Sequence, residues 1–452
     1  MVPHWRRTSA RWPSSSSPAP GLVAECHFGN WLPVAVLLAH LVSGIDRVTS
    51  DLDFGNMVLS QAQAVVPRIQ AYRERSATRR DSPPVDHIMI ASLQRQIERL
   101  LRERRLRLAN KLIDKLNLGL QGGSIAPDVA LSLEEVRAQV AKLFPSAGSG
   151  DTFSDAQIQL AQEAEPLSLP PGFIGTVLPT LNRGSGSGVS GWTNAFILDV
   201  FTSDSETRES GKDLLTALCN KMLAGQMRSP LWLLSRLVLI PKPSDNPSAP
   251  ITLRPLGLPE IFYRLAGRAA VRIEGPLVGP TMEPVQLGVG IPFGCQIGAK
   301  GAQCAFDARK ALLAVDLNNA FNTEKRQSTF QGVYALVPRL LRYYMWGYGR
   351  ETPLIWHGQL VGSSGTGVKQ GDPAGPLYFA VSTHGLFCSI RDAIERVATE
   401  HFPLLPSFVG VTAICDDLQV VSDPQLAHPV AEVVHGRSSS RVGALTSRSV
   451  GF

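Results

Sequence analysis

Val409-Gly-Val-Thr-Ala-Ile414-Cys415-Asp416-Asp417-Leu-Gln-Val-Val421 is an apolar run that carries two adjacent aspartates. Upstream, a second apolar, strand-like run, Ala311-Leu-Leu-Ala-Val-Asp316, also ends in an aspartate. Carboxylates at the ends of apolar strands are costly unless they find partners or bind cations. Three carboxylates that converge from two strand ends form the donor set that a pair of Mg2+ ions needs for in-line phosphoryl transfer. Taken alone, an Asp-Asp pair reads first as a pair of solvated turn residues. The words around the two sites decide between these readings.

The first site reads Asp316-Leu-Asn-Asn-Ala-Phe321-Asn322, and the second Ala413-Ile-Cys-Asp416-Asp417-Leu418. Between them lies Gly367-Val-Lys-Gln370-Gly-Asp372-Pro-Ala-Gly-Pro-Leu377. Upstream stand Leu239-Ile-Pro-Lys242-Pro243 and Leu253-Arg254-Pro-Leu-Gly-Leu-Pro259. Gly188-Val-Ser-Gly-Trp192-Thr193, Gln286-Leu-Gly-Val-Gly290 and Tyr343-Tyr-Met-Trp-Gly-Tyr348 complete the series. In this order the words resemble the fingers and palm motifs of reverse transcriptases, particularly those of non-LTR retrotransposons. The resemblance runs from about Pro179 to Asp423.

The resemblance implies an α+β polymerase right-hand fold with fingers (about 179–310) and palm (about 311–423). It implies an RNA-directed DNA polymerase that copies an RNA template from a DNA primer with deoxynucleoside triphosphates. Asp316 and Asp416 would hold two Mg2+ (or Mn2+) ions, with Asp417 as the adjacent carboxylate. Phe321 would collide with a ribose 2′-hydroxyl and so select deoxynucleotides; its bland alternative is a core Phe. Gln370, after the Gly-rich stretch Gly362–Gly367, would contact the incoming nucleotide and its templating base. The alternative is a turn that opens a helix over Leu377–Arg396, and the two are compatible. Lys242 and Arg254 flank a Pro-rich loop, Pro243–Pro250. They would grip the triphosphate, Arg by a bidentate fork and Lys as a point charge; a solvated loop is the competing reading.

Gly186-Ser-Gly188-Val-Ser-Gly191 formally matches the dinucleotide-binding glycine pattern. That pattern needs a preceding strand within a βαβ unit. Leu178–Arg183 is a poor strand, so the run is expected as a flexible lead-in to a helix over Trp192–Phe201.

The chain of 452 residues accommodates two or three domains, and its formal net charge of +6 suits a nucleic-acid partner without requiring one. The six cysteines form no close ligand pairs, as expected of reduced thiols in an intracellular protein. The longest apolar stretch, Trp31–Val42, contains Pro33 and His40 and is too short to span a bilayer. No membrane partner is expected, and an active copy is expected to act in the nucleus.

Residues 1–30 are Ser/Pro-rich and expected to be disordered. Residues 31–150 read as a helical region. Within 88–118, apolar residues at 90, 93, 97, 100, 101, 108, 112 and 116 keep helical spacing. Arg95, Arg99, Arg102, Arg105 and Lys115 line the opposite face. Such a helix either tracks a nucleic-acid backbone or presents a solvated face. A further helix is expected over Leu131–Leu143, capped by Ser132 with Glu135 three residues on.

The chain departs from the family's pattern in two places. Ile414 stands where an aromatic residue is usual, which bears on primer handling. Residues 424–452 are polar, rich in small residues and expected to be disordered, with no sign of the helical thumb a complete enzyme carries. The alternative function is a catalytically dead, nucleic-acid-binding remnant of a retroelement.

Overall fold

A computed structural model of the chain describes residues Glu98 and Arg102 together with 132–145, 151–201, 205–241, 253–317, 319–402, 409–439 and 445–449. The chain divides into a unit of residues 59–138 and a second unit that holds residues 139–452. The Ser/Pro-rich segment 1–30, most of the basic helix expected over 88–118, and Lys242 lie outside the described residues.

In the first unit, Glu98 and Arg102 are helical, and their side chains meet at 3.4 Å across one turn. The cap expected ahead of Leu143 is present. Ser132 donates its N–H to Glu135 Oε2 at 2.8 Å, and Glu135 N–H donates to Ser132 Oγ at 3.3 Å. These reciprocal bonds start α1 (Leu133–Leu143), and the bonds that Ser132 N–H and Oγ–H donate to the Glu135 carboxylate lower its pKa.

The second unit is mixed α and β. Helices α2 (Asp155–Glu163), α3 (Ile174–Val177), α4 (Asn194–Phe201) and α5 (Ser205–Leu223) precede strands β1 (Ser235–Pro241) and β2 (Leu253–Pro259). Then come α6 (Ile261–Met282), α7 (Gly294–Asp307), β3 (Ala311–Leu317), α8 (Ala320–Thr323), α9 (Arg326–Leu336) and α10 (Leu341–Tyr348). The rest is β4 (Thr352–Trp356), β5 (Gln359–Ser364), α11 (Gly375–His401), β6 (Val409–Ile414), β7 (Asp417–Ser422), α12 (Ala427–Ser439) and β8 (Leu445–Ser449). Among the described residues no helix is long and apolar enough to cross a membrane.

The described strands form two four-stranded sheets. The first has the order β2-β1-β4-β5, with β1 antiparallel to β2 and parallel to β4. Strands from both sides of residue 310 therefore share one sheet. Pro255 and Pro259 are tolerated because β2 is an edge strand, where a missing N–H breaks no ladder. Burial alternates along β2: Leu253, Pro255, Gly257 and Pro259 face the core, while Arg254, Leu256 and Leu258 face outward. The second sheet is antiparallel throughout, in the order β6-β7-β3-β8. One of its faces buries Val315, Leu317, Val411, Ala413, Leu418 and Val420. Helix α11 packs against β6 and α12 against β3, while Gly298 of α7 lies close against Ile414 and Thr412 on the other face.

Two sequence expectations are corrected. Residues 424–452, expected to be disordered, supply α12 and β8. Leu426, Val430 and Val434 are buried at a four-residue spacing, an apolar stripe hidden in a polar segment. Polar β8 needs no such stripe, because its Leu445–Ser449 backbone pairs with Leu313–Leu317. The glycine run 186–191 is not a free lead-in either. Glu260 accepts from Ser190 N at 2.8 Å and from Ser190 Oγ at 2.5 Å, and Arg264 Nη2 donates to Gly186 O at 2.8 Å. The helix that follows begins at Asn194.

Candidate functional site: an aspartate-bearing hairpin and its neighbouring loops

The run Val409–Val421 folds back on itself. Ile414 pairs with Asp417 across antiparallel β6 and β7, so Cys415-Asp416 is a two-residue turn. Cys415 has φ 57° and Asp416 does not share the positive sign, which is the sign pattern of a II′ turn, normally opened by glycine. Strand β3 lies on the other side of β7, and Asp316 is the register partner of Asp417. Directly paired positions of an antiparallel ladder share a face, with Cα atoms about 4.5–5.5 Å apart. Positions 316, 416 and 417 therefore gather at one end of the sheet. Asp417 is exposed and Asp416 half-buried.

Like charges directly opposite in a ladder destabilise it. A divalent cation relieves that repulsion, and carboxylate oxygens are the hard donors that Mg2+ or Mn2+ takes. The donor set at positions 316, 416 and 417 thus fits the implied metal. Among the described side chains taken alone, no three His, Cys, Asp or Glu form a metal-holding group. Position 316 lies beside position 417 by its backbone register. Burial, and then the Asp416 charge, pushes the Cys415 thiol up to about 12, so the turn carries a neutral thiol beside its carboxylates at neutral pH.

A third segment holds the turn. Leu287 N–H donates to Ala413 O at 2.8 Å and Ala413 N–H to Val285 O at 2.6 Å, a short parallel bridge along β6. Between those two residues, fully buried Gln286 points at the turn. Its Nε2 donates to Cys415 O at 3.1 Å. Its Oε1 accepts from Cys415 N and from Gly288 N, both at 2.9 Å. Gly288 is required here, because a Cβ would stand 2.6 Å from Cys415 N. The sequence alone gives Gln286 no role, because its partner Cys415 lies more than a hundred positions away.

The second cluster joins Phe321 to the loop that bears Gln370. Val368 N–H donates to Phe321 O at 2.7 Å, and Thr366 Oγ1 donates to Asn322 O at 2.8 Å. Gly367, at φ 59°, permits this approach, since a Cβ would collide with Phe321 O. The Phe321 ring is half-buried and stacks on buried Phe379 of α11, with centroids 4.7 Å apart and planes 13° apart. One side of the ring thus rests on the core. Gln370 is half-exposed, and the Gly371 backbone abuts Gly257 and Leu258 of β2. Arg254 is exposed on the same strand, three residues from Gly257 and so roughly 10 Å along it.

Beneath this loop lies a polar core that the sequence reading missed. Lys369 is fully buried, donates to Thr352 Oγ1 at 3.2 Å and lies over the rings of Tyr263 and Tyr348. Asp372 accepts from Tyr348 OH at 2.6 Å, from Tyr263 OH at 3.0 Å and from Ala374 N at 2.9 Å. Arg326, also buried, donates to the carbonyls of Gly367, Tyr348, Arg350 and Ser364. Burial raises the Asp372 carboxyl and lowers Lys369 to about 8, each opposed by the other's charge. These groups fix the backbone from Gly367 to Ala374, and Gln370 rides on it.

The structure therefore gathers positions 316, 416 and 417 in one place; in another it sets Phe321 beside the Gln370 loop, whose Gly371 abuts the strand of Arg254. No protein-family model matches the chain, and no curated protein matches it.

Proposed function

We propose that the chain is a two-metal nucleotidyltransferase of the reverse transcriptase type, an RNA-directed DNA polymerase with fingers and palm. The observation that carries this reading is the in-register pairing of position 316 with Asp417, beside Asp416 in a strained turn. The order of motifs along the sequence supplies the polymerase class. Asp316, Asp416 and Asp417 would hold two Mg2+ ions, which would acidify the primer 3′-hydroxyl and neutralise triphosphate charge.

The remaining work falls to other residues of the chain. Phe321, backed by Phe379, stands against a ribose 2′-hydroxyl. Gln370 presents its amide to the incoming nucleotide and the templating base from a loop whose backbone is fixed from below. Arg254 and Lys242 take the triphosphate. The partners are an RNA template, a DNA primer and deoxynucleoside triphosphates.

The test is primer extension on poly(rA)–oligo(dT) with Mg2+, with Asp416→Asn as the control. Mg2+-dependent synthesis that Asp416→Asn abolishes is the expected result. Salt-sensitive binding of the primer–template without any extension would instead identify a nucleic-acid-binding remnant.

A further inference from the structure

We infer that Gln286 is the positioning residue of the aspartate-bearing turn: its side-chain amide holds Cys415 at positive φ and thereby sets Asp416 against the 316–417 pair. The inference rests on the metal-site reading above and adds to it the residue that maintains the site's geometry.

A two-residue turn leaves the peptide groups of its first central residue without a partner strand, and unpaired backbone groups are costly when buried. A Gln side chain carries the same donor and acceptor as a peptide unit. Gln286 uses both on Cys415, through Nε2 to its carbonyl and Oε1 from its N–H, and shares Oε1 with Gly288 N–H. The backbone bridges of Val285 and Leu287 to Ala413 fix where that amide starts. Glu has the length but lacks the donor at neutral pH, and Asn is one methylene short.

The strain at Cys415 is what makes the clamp consequential. A non-glycine residue at φ 57° persists only where its surroundings over-determine it. The glycine that a II′ turn favours would hold the conformation without help. This chain has Cys415 there, with the amide of Gln286 supplying the restraint. Asp416 is the next residue, so a relaxed turn carries its carboxylate away from its neighbours.

Three proteins test this beside the wild type: Gln286→Leu, Gln286→Glu and the double variant Gln286→Leu/Cys415→Gly, each checked for folding by circular dichroism. Hydrogen exchange of the Val409–Ser422 segment, read by mass spectrometry, reports on the turn without reference to any metal. Binding of Mn2+, read by electron paramagnetic resonance with Asp416→Asn as the reference, reports on the site. Both single variants should exchange the turn amide faster and bind Mn2+ about 10-fold more weakly, the low end of the loss when a ligand's supporting hydrogen bond is removed. Cys415→Gly should recover part of that affinity, which a general loss of stability would not permit. Should Gln286→Leu fail to fold, Gln286→Glu carries the same two readouts. Unchanged protection overturns the clamp. Lost protection with unchanged Mn2+ affinity, or no recovery with glycine, overturns the positioning role. A wild type that binds Mn2+ no better than Asp416→Asn overturns the metal-site reading and the positioning role with it, while the exchange result still decides the clamp.

Discussion

At the scale of single residues, the proposed selectivity depends on side chains held from behind. Phe321 is backed by Phe379, so its ring has one orientation to offer a sugar. Replacement with Val should raise ribonucleotide incorporation relative to deoxynucleotide by at least about tenfold on one primer–template, because the 2′-hydroxyl then meets no ring. Val is a better probe than Ala, which also removes more of the packing against Phe379. An unchanged ratio would leave Phe321 a core residue only. Arg254 stands exposed on edge strand β2, free to turn toward an anion. Arg254→Ala should weaken nucleotide binding by about tenfold, the loss of one charge-assisted fork. Arg254→Lys should fall between, since it keeps the charge and loses the fork. Equal and negligible effects in a titration with labelled nucleotide would leave Arg254 a solvated residue of the edge strand.

At the scale of elements, the loop from Gly367 to Ala374 is positioned by what lies under it. Tyr348 donates the shortest of the three hydrogen bonds to buried Asp372 and accepts from Lys369 N–H at 3.2 Å. Tyr348→Phe leaves a buried carboxyl short of a donor and a buried N–H without its acceptor. Destabilisation of about 1–3 kcal/mol is expected in urea denaturation. Lys369 gives a signed prediction in pH. Its folded pKa of about 8 lies below the ordinary lysine value of 10.5. Between those values the unfolded chain holds the proton more tightly than the folded one, so this group's contribution to stability rises with pH. Wild type minus Lys369→Met should show that rise from pH 8 to 10, and a flat or falling difference would place the Lys369 pKa elsewhere.

At the scale of the whole molecule, what was legible in the sequence was what local pattern controls. The strand-end placement of the aspartates and the Ser132–Glu135 cap could be read because each depends on neighbouring residues. The parallel pairing of β1 with β4 could not be read, since the two strands lie more than a hundred positions apart and neither carries a signal for its partner. Buried Lys369 and Asp372 were illegible for a related reason. Charge in a sequence reads as surface, and only the packed tyrosines around them show otherwise. The tail was misread because its apolar content is sparse: Leu426, Val430 and Val434 are thinly spaced, yet they all fall on one face of the chain there.

That correction yields a prediction about the tail itself. Chain ending after Asp423 would lose β8 and leave β3 with an open edge beside the aspartates, and open edges recruit other strands. It would also lose three buried side chains, Leu426, Val430 and Val434, each contributing about 1.5–3 kcal/mol when fully buried. Such a variant should melt at lower temperature and associate on size-exclusion chromatography at concentrations where the full chain does not. Replacement of Val430 and Val434 by Ser within the full chain separates the two effects. It removes the stripe while keeping the β8 sequence, and so should lower the melting temperature with less association. Identical melting of all three proteins would mean that residues 424–452 contribute nothing to the stability of the fold.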